Sequence, residues 1–249
     1  MGSRGHAPHA KMTPVCLITG SAGRLGTALC RTLMKTCQIA AVYRTQLPRF
    51  PSQLRTPLDV SRTKNKEQPG KLAFCTQGDL TNGEDVRRIV EVVLARFDRI
   101  DYVINSAADT AFHGKLLELC FDSSGVENQL MTNCVAPINL ISTIFQEFWK
   151  NERTANRDFN RCVINVSSIS GLYIYPNAGQ AYNSATKAAI NFLTMHLAYE
   201  LADYSVRVNA ICPPRFPGTV PVEKVVAKIK DLLKSDVTGE VVEVFRDQD

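Results

Sequence analysis

Short apolar runs alternate with segments of helical periodicity along almost the whole chain. The runs VCLI (15–18), IAAVY (39–43) and CVINV (162–166) are apolar at nearly every position rather than at every second one. Strands with two apolar faces are buried on both sides, which is typical of parallel sheets whose strands are joined by helices. The sequence therefore predicts an α/β fold, a doubly wound parallel sheet of about seven strands with helices on both faces.

The remaining elements follow the same alternation. The other predicted strands are LAFC (72–75), YVIN (102–105), VRVNAI (206–211) and VVEV (241–244), and the predicted helices cover about 25–36, 84–97, 131–149, a stretch ending near Tyr204, and 222–234. Four prolines between the second and third strands argue against a continuous helix there. We expect a disordered lead at residues 1–12 and one dinucleotide-binding and catalytic domain at 13–249.

Composition indicates where the protein is located and which classes of partner are not expected. No apolar run approaches the roughly 20 residues that span a bilayer, so we expect no membrane partner. The eight cysteines include Cys16, Cys75, Cys162 and Cys212 in or beside apolar runs, and none forms a C-x-x-C pair. This usage indicates reduced thiols, no metal site and a cytoplasmic protein. The net charge of +5 is modest, and its basic stretch lacks interleaved aromatics, so nucleic acid is not expected.

A glycine-rich turn directly follows the first strand and opens the first helix. It reads TGSAGRLG, Thr19 to Gly26. Glycines in this context allow a tight turn and close packing of helix on sheet, and the free N–H groups of the helix start can hold a pyrophosphate. The residues expected to form the cofactor-binding turn are Gly20, Ser21, Gly23, Arg24, Leu25 and Gly26.

Further motifs follow in a fixed order. They are Asp79-Leu80 after the third strand, NSAA (105–108) after the fourth, Asn133 on a long helix, NVSSISGL (165–172), AYNSATK (181–187) and VRVNAICPP (206–214). Together with the glycine turn, this series resembles the short-chain dehydrogenase/reductase family over about residues 13 to 244. The resemblance implies a Rossmann-type fold, a nicotinamide cofactor and a reductase. Arg24 replaces the middle glycine of T-G-x-x-x-G-x-G, as in the pteridine reductase branch.

The resemblance also assigns residues to the site. It implies catalytic roles for Asn133, Ser168, Tyr182 and Lys187, and it extends the cofactor-binding set to Asp79, Leu80, Asn105, Ser106, Ala107, Lys187 and Pro213. Members that prefer NAD place a carboxylate at the end of the second strand, where this chain reads VYRT with Arg44. Because an arginine can pair with a 2′-phosphate, we expect NADP(H).

The spacing of the catalytic pair departs from the family. Tyr182 lies five residues before Lys187, and Asn183 holds the fourth place. In an unbroken helix, positions four apart share a face, whereas positions five apart differ by about 140°. A helix that starts after Tyr182, or a one-residue π-type bulge, would bring Tyr182 back toward Lys187.

Two main functions remain open at this point, beside a third in which the same fold uses Ser168 and Lys187 for non-redox chemistry. The first is an NADPH-dependent oxidoreductase that reduces a carbonyl or imine group of a small molecule by hydride transfer. The alternative is a cofactor-binding, catalytically impaired member that acts as a scaffold or regulatory partner. The resemblance further implies a homodimer or homotetramer, with apolar residues of the long helix and of the Lys187 helix at the contact.

Overall fold

A computed structural model shows one parallel sheet with helices on both faces. It describes residues 12–50, 55–56, 73–110, 115–118, 124–174, 179–214 and 218–245, so nearly all of the predicted lead lies outside the described residues. The strands are β1 (Val15–Ile18), β2 (Gln38–Tyr43), β3 (Arg55–Thr56), β4 (Ala73–Gln77), β5 (Tyr102–Asn105), β6 (Cys162–Val166), β7 (Arg207–Cys212) and β8 (Val241–Glu243).

The strand order within the described ranges is β3-β4-β2-β1-β5-β6-β7-β8, and every pairing is parallel. The strands from β2 to β4 lie on one side of β1, and the strands from β5 to β8 lie on its other side. The predicted doubly wound sheet is therefore confirmed, with the two-residue β3 added in the proline-rich segment. The reversal of strand order between β1 and β5 opens a crevice at the carboxyl ends of these strands.

The described part contains seven α-helices, and five of them lie close to predicted positions. They are α1 (Arg24–Leu33), α2 (Gly83–Phe97), α3 (Ser124–Leu130), α4 (Ala136–Glu147), α5 (Arg153–Asp158), α6 (Ala181–Leu201) and α7 (Val222–Lys234), of which α3 and α5 were not predicted. The first predicted helix ends three residues early because residues 34–36 form a turn. The helix predicted at 131–149 is composite, since a π-helical segment, Met131–Val135, joins α3 to α4.

Two apolar cores explain why the strands are apolar throughout. Leu17 packs into the core beneath α2, α4 and α6, whereas its neighbour Ile18 packs into the core beneath α1 and α7. Successive side chains of a strand point to opposite faces, so both need apolar partners. Cys16, Cys75, Cys162 and Cys212 lie in strands as predicted, and the seven cysteines of the described part are buried and form no disulfide with one another.

A buried ionic cluster fastens the amino-terminal edge of the sheet. The carboxylate of Asp101 accepts two hydrogen bonds of 2.7 Å from Arg99, one of 3.2 Å from Arg161 and one of 2.8 Å from the backbone N–H of Val15. The guanidinium of Arg99 lies 3.7 Å from the ring centroid of Phe159. This cluster ties β1, β5 and β6 together at the edge opposite the crevice.

Candidate functional site

The crevice at the strand reversal is a cleft of about 330 Å³. It is formed by the turn after β1 and by the carboxyl ends of β2, β4 and β5. Its lining residues are Gly20, Ala22, Gly23, Val42, Tyr43, Arg44, Thr45, Gln46, Gly78, Asp79, Leu80, Thr81, Ser106, Ala107, Ala108, Asp109 and Thr132.

The turn after β1 is fastened to the end of β5. The hydroxyl oxygen of Thr19 accepts hydrogen bonds from the backbone N–H groups of Ser106 (3.0 Å) and Ala107 (3.1 Å). Gly20 has a φ of +63°, and a Cβ at this residue would lie 2.7 Å from the backbone nitrogen of Ala107. Only glycine satisfies both conditions, because the conformation is left-handed and no space remains for a side chain.

The start of α1 leaves backbone donors at the cleft. Gly23 occupies the N-cap position, and no side chain caps the first turn. A Cβ on Gly26 would lie 2.7 Å from the Cα of Ser21 and against the carbonyl of Gly20. The first-turn N–H groups of a helix lack intrahelical partners and carry partial positive charge, which suits a phosphate.

The predicted residues of this turn divide into lining and supporting positions. Gly20 and Gly23 line the cleft, whereas Ser21 and Leu25 are buried behind it. The hydroxyl of Ser21 donates to the carbonyl of Val42 at 2.8 Å, which anchors the turn to β2. Arg24 is exposed and lines a separate groove between α1 and α7. Arg24 is absent from the lining of the cleft, and its role in cofactor binding stays a prediction.

A cation follows β2 at the cleft. Arg44 is exposed in the lining, and its carbonyl accepts a 2.9 Å hydrogen bond from the side chain of Gln77. Across the cleft, Asp79 uses one carboxylate oxygen to accept from the backbone N–H and hydroxyl of Thr81, at 2.9 and 2.7 Å. Arg44 is thus the lining residue suited to an anion, whereas Asp79 holds its own turn.

Asn133 is positioned by the π-helical segment. Its side-chain oxygen accepts from the backbone N–H of Asp109 at 2.7 Å, and its amide donates to the Asp109 carbonyl at 2.9 Å and to the Thr186 hydroxyl at 3.1 Å. The wider π turn shifts one residue relative to the α-helical register. Asn133 consequently joins the cleft wall after β5 to α6.

The loop after β6 packs closely on α6. The hydroxyl of Ser168 lies 3.1 Å from both the backbone nitrogen and the hydroxyl of Ser170. Ser167 donates to the carbonyl of Lys187 at 3.0 Å, and a Cβ on Gly171 would lie 2.6 Å from the carbonyl carbon of Lys187. These contacts place the half-buried Ser168 beside the Lys187 turn of α6.

The helix α6 carries Asn183, rather than Tyr182, on the face of Lys187. It runs as regular α-helix from Ala181, and the structure describes all of its residues. Neither a late helix start nor a π bulge is therefore present in α6, and Tyr182 is rotated by about 140° from Lys187. Asn183 is buried, and its Oδ1 has no hydrogen-bond partner among the described residues. Tyr182 is half-buried.

Lys187 is buried at the carboxyl end of β6. It is 6% exposed, and its Nζ donates to the carbonyl of Val166 at 3.1 Å. Burial lowers the pKa of Lys187 to about 8, because it disfavours the charged ammonium. The thiols of Cys134 and Cys212 oppose this shift.

The other predicted cofactor residues lie near the same sheet edge. Asn105 is buried, and its amide donates to the side-chain oxygen of Asn165 at 2.9 Å, which links β5 to β6. Pro213 is buried after β7, and its carbonyl accepts from the backbone N–H of Ile169 at 3.2 Å. Asn105 and Pro213 are buried and do not line the cleft, whereas Leu80, Ser106 and Ala107 do.

Four residues that line the cleft or hold Asn133 were not predicted from the sequence. Thr45 and Gln46 line the cleft directly after Arg44, and their position after the second strand was a usable signal. Asp109 and Thr186 hold Asn133. No motif marks them, because their role depends on a π turn that apolar periodicity does not reveal.

A doubly wound sheet with a glycine turn at its strand reversal is the architecture of dinucleotide-binding proteins. The model of the family described as short chain dehydrogenase matches residues 14–229. The 3-oxoacyl-[acyl-carrier-protein] reductase FabG of Thermotoga maritima is 28% identical over 225 residues, covering 90% of this chain and 82% of that protein.

Solved structures of the same fold span nearly the whole chain. The NADP complex of RhlG from Pseudomonas aeruginosa superposes with a TM-score of 0.76 at 19% identity, over 95% of this chain and 96% of that one. A short chain dehydrogenase from Leptospira borgpetersenii with bound NAD+ gives a TM-score of 0.75 at 19% identity, over 96% and 98%. The chain belongs to the short-chain dehydrogenase/reductase family, and the predicted class of oxidoreductase is confirmed.

Proposed function

We propose that this protein is an NADPH-dependent oxidoreductase that reduces a carbonyl or imine group of a small molecule. The observation that carries the proposal is the cleft itself, with uncapped N–H groups at the start of α1 and Arg44 at the end of β2. Related structures hold NADP in one case and NAD+ in another. The choice of NADPH therefore rests on Arg44, which suits a 2′-phosphate better than the hydroxyls of NADH.

The residues of the cleft fit a nicotinamide dinucleotide, and each can be given a role in binding or catalysis. The turn at Gly20 and Gly23 would hold the pyrophosphate, and Arg44 the 2′-phosphate. When bound, the reduced nicotinamide supplies hydride to the substrate carbon. The hydroxyl of Ser168 would donate a hydrogen bond to the substrate oxygen. Asn133 would hold the segment after β5 in contact with α6.

Cofactor choice is tested by fluorescence titration with NADPH and NADH. We expect Arg44→Glu to weaken NADPH binding by about 10- to 100-fold, since a hydrogen bond to a charged group contributes about 1.5–3 kcal/mol. Binding of NADH should change far less. Arg153→Glu is the matched control, because Arg153 is an exposed arginine on α5 outside the cleft. Equal loss for both cofactors would refute the role of Arg44.

Reduction is tested by NADPH oxidation with carbonyl probes. Acetoacetyl-CoA represents 3-oxoacyl thioesters, phenanthrenequinone represents planar diketones, and dihydrobiopterin represents pterins. Turnover of any probe that depends on Ser168 supports the reductase. NADPH binding without any turnover would contradict it.

That second outcome would favour a cofactor-binding protein without redox activity. A specific observation supports this candidate, namely that regular helix from Ala181 turns Tyr182 away from Lys187 and leaves Asn183 in its place. An amide side chain cannot serve as a proton donor of tuned acidity. The two candidates therefore differ in whether another group of the site supplies the proton.

We also propose that the protein forms a homodimer or homotetramer through α6 and the π-helical segment. Among the apolar residues of the predicted long helix and of the Lys187 helix, Leu140, Ile144 and Ile190 are buried in the core, whereas Phe192 is 60% exposed. The exposed large apolar residues on α6 and the π-helical segment are Met131, Val135, Phe192, Met195 and Tyr199. We expect Phe192→Glu to reduce the mass measured by light scattering, and an unchanged mass would contradict this assignment.

No helix of the described part is both long and apolar enough to cross a membrane.

A further inference from the structure

The site retains a lysine but lacks an aligned phenol, which leaves the proton source of the reduction open. Asn183 and Lys187 are four residues apart on regular helix and both are buried. The amide of Asn183 is not an acid at physiological pH. Tyr182 lies about 140° around the helix from Lys187. The group that protonates the substrate oxygen must therefore be sought among the other residues.

The nearby thiols and hydroxyl are poor proton donors. Burial raises the pKa of Cys134 and, in the same way, that of Cys212, so each thiol is a weaker acid than an ordinary cysteine. The sulfur of Cys134 lies 3.3 Å from the carbonyl of Thr186, and that of Cys212 lies 3.5 Å from the side-chain oxygen of Asn191. Ser168 can donate a hydrogen bond, but an aliphatic hydroxyl is too weak an acid to lose its proton.

The ammonium of Lys187 has N–H donors beyond the one that the fold uses. Its Nζ lies beside the carbonyl of Val166, the last residue of β6, at the edge of the sheet where the cleft lies. An ammonium has three N–H donors, and the contacts among described residues use one of them. Two N–H bonds are left for a substrate oxygen or a bridging water.

The electrostatic surroundings of Lys187 favour proton release. Among the described residues, the titratable groups that act on it are the thiols of Cys134, on the π-helical segment, and Cys212, on β7. Desolvation outweighs both and lowers the pKa of Lys187 to about 8. A general acid is most effective when its pKa lies near the working pH, and this ammonium satisfies that condition without a phenol.

We propose that Lys187 is the proton donor of the reaction, replacing the displaced Tyr182. The role rests on the proposed reductase function. As the substrate carbon takes up hydride, with oxidation of NADPH to NADP+, an Nζ–H bond of Lys187 breaks and an O–H bond forms on the substrate. The electron pair stays on Nζ as a neutral amine, which regains its proton from water. In this scheme Ser168 orients the oxygen, and Asn183 occupies the helix position four residues before Lys187.

The test is single-turnover reduction of acetoacetyl-CoA and phenanthrenequinone by NADPH between about pH 6 and pH 10. We expect the wild-type rate to fall above pH about 8, because the neutral amine cannot donate. Lys187→Gln should lower the rate at pH 7 by about 100-fold or more, in the range of general acid catalysis. Lys150→Arg, an exposed lysine outside the site, is the control expected to leave the rate unchanged.

Two variants separate acid catalysis from simple positive charge. Lys187→Arg keeps the charge but does not lose its proton anywhere in this pH range, so we expect a low rate without the decline near pH 8. Tyr182→Phe should keep that decline. If the decline persists in Lys187→Arg, or disappears in Tyr182→Phe, the proposal is overturned and the phenol is the donor.

A readout independent of turnover is the NMR titration of the lysine side chains. The Lys187 signal, assigned by its loss in Lys187→Arg, should titrate near pH 8 in the free protein and in the NADP+ complex. A titration near the ordinary value of 10.5 would overturn the proposal even if turnover is observed. NADPH binding with no turnover of any probe would instead refute the reductase function, and the donor role with it.

Discussion

Replacing Lys187 with methionine should reveal how strongly the fold opposes the lysine's charge. The pKa of Lys187 is lowered from 10.5 to about 8 by burial. Between these pH values the unfolded chain binds a proton that the folded chain does not. The free energy of unfolding of the wild type therefore rises with pH in this window, and the penalty of the buried charge is fully present below pH 8.

The expected magnitude follows from proton linkage. Relative to Lys187→Met, the wild type should gain about 2.5 kcal/mol in the free energy of unfolding between pH 7 and pH 10. Methionine is uncharged and of similar length, and the neighbouring thiols titrate in both proteins. The comparison therefore isolates the proton of Lys187.

Urea unfolding at the two pH values measures this difference. Lys150→Met is the control, since Lys150 is exposed and its substitution should give a much smaller pH-dependent difference. If the difference between wild type and Lys187→Met is the same at both pH values, burial does not lower the pKa of Lys187. The electrostatic part of the proton-donor argument would then fail.

Three further substitutions test the scaffold. Gly26→Ala should abolish NADPH fluorescence enhancement and lower the melting temperature, because its Cβ would press against the carbonyl of Gly20; full binding would contradict the close packing. Asp101→Asn should cost about 3–5 kcal/mol in urea unfolding, since it leaves two buried guanidinium groups without a counter-charge; a loss under about 1 kcal/mol would show that the cluster contributes little. Arg207→Met should lower stability by about 1–3 kcal/mol, because Arg207 donates to the last carbonyls of α7 and to the carbonyl of Val237; an unchanged unfolding midpoint would refute that capping role.

The sheet was predictable because strands buried on both faces require continuous apolar runs in the sequence. Leu17 and Ile18 are adjacent, yet each fills a different core, so every position of β1 must be apolar. The same pattern placed the other long strands to within about two residues. The two-residue β3 is too short to form such a run.

Five of the seven α-helices of the described part were predicted, but their detail was not. Apolar spacing indicates a helix over 131–149, but it does not distinguish an α turn from the π turn that contains Asn133. A π turn changes the register by one residue, which is within the tolerance of a periodic pattern. The contact of Asn133 with Thr186 was therefore not foreseeable from spacing.

The alignment of Tyr182 depended on where α6 begins, which the sequence left open. Helix propensities barely distinguish a start at Ala181 from one two residues later. The structure begins the helix at Ala181, with Gln180 as its N-cap. Once that start is fixed, helical geometry alone separates Tyr182 from Lys187 and places Asn183 beside it.

This geometry makes the retained lysine the informative residue of the site. A buried lysine without a carboxylate partner destabilises a fold, and perturbed groups of this kind concentrate at functional sites. Replacing Lys187 with an apolar residue would stabilise the fold in either case, but only an enzyme that uses its proton would lose activity by the change. If Lys187→Met is more stable at neutral pH and turns over no probe, the same charge both weakens the fold and drives the reaction. If the variant is more stable and the wild type is equally inactive, Lys187 contributes to binding alone.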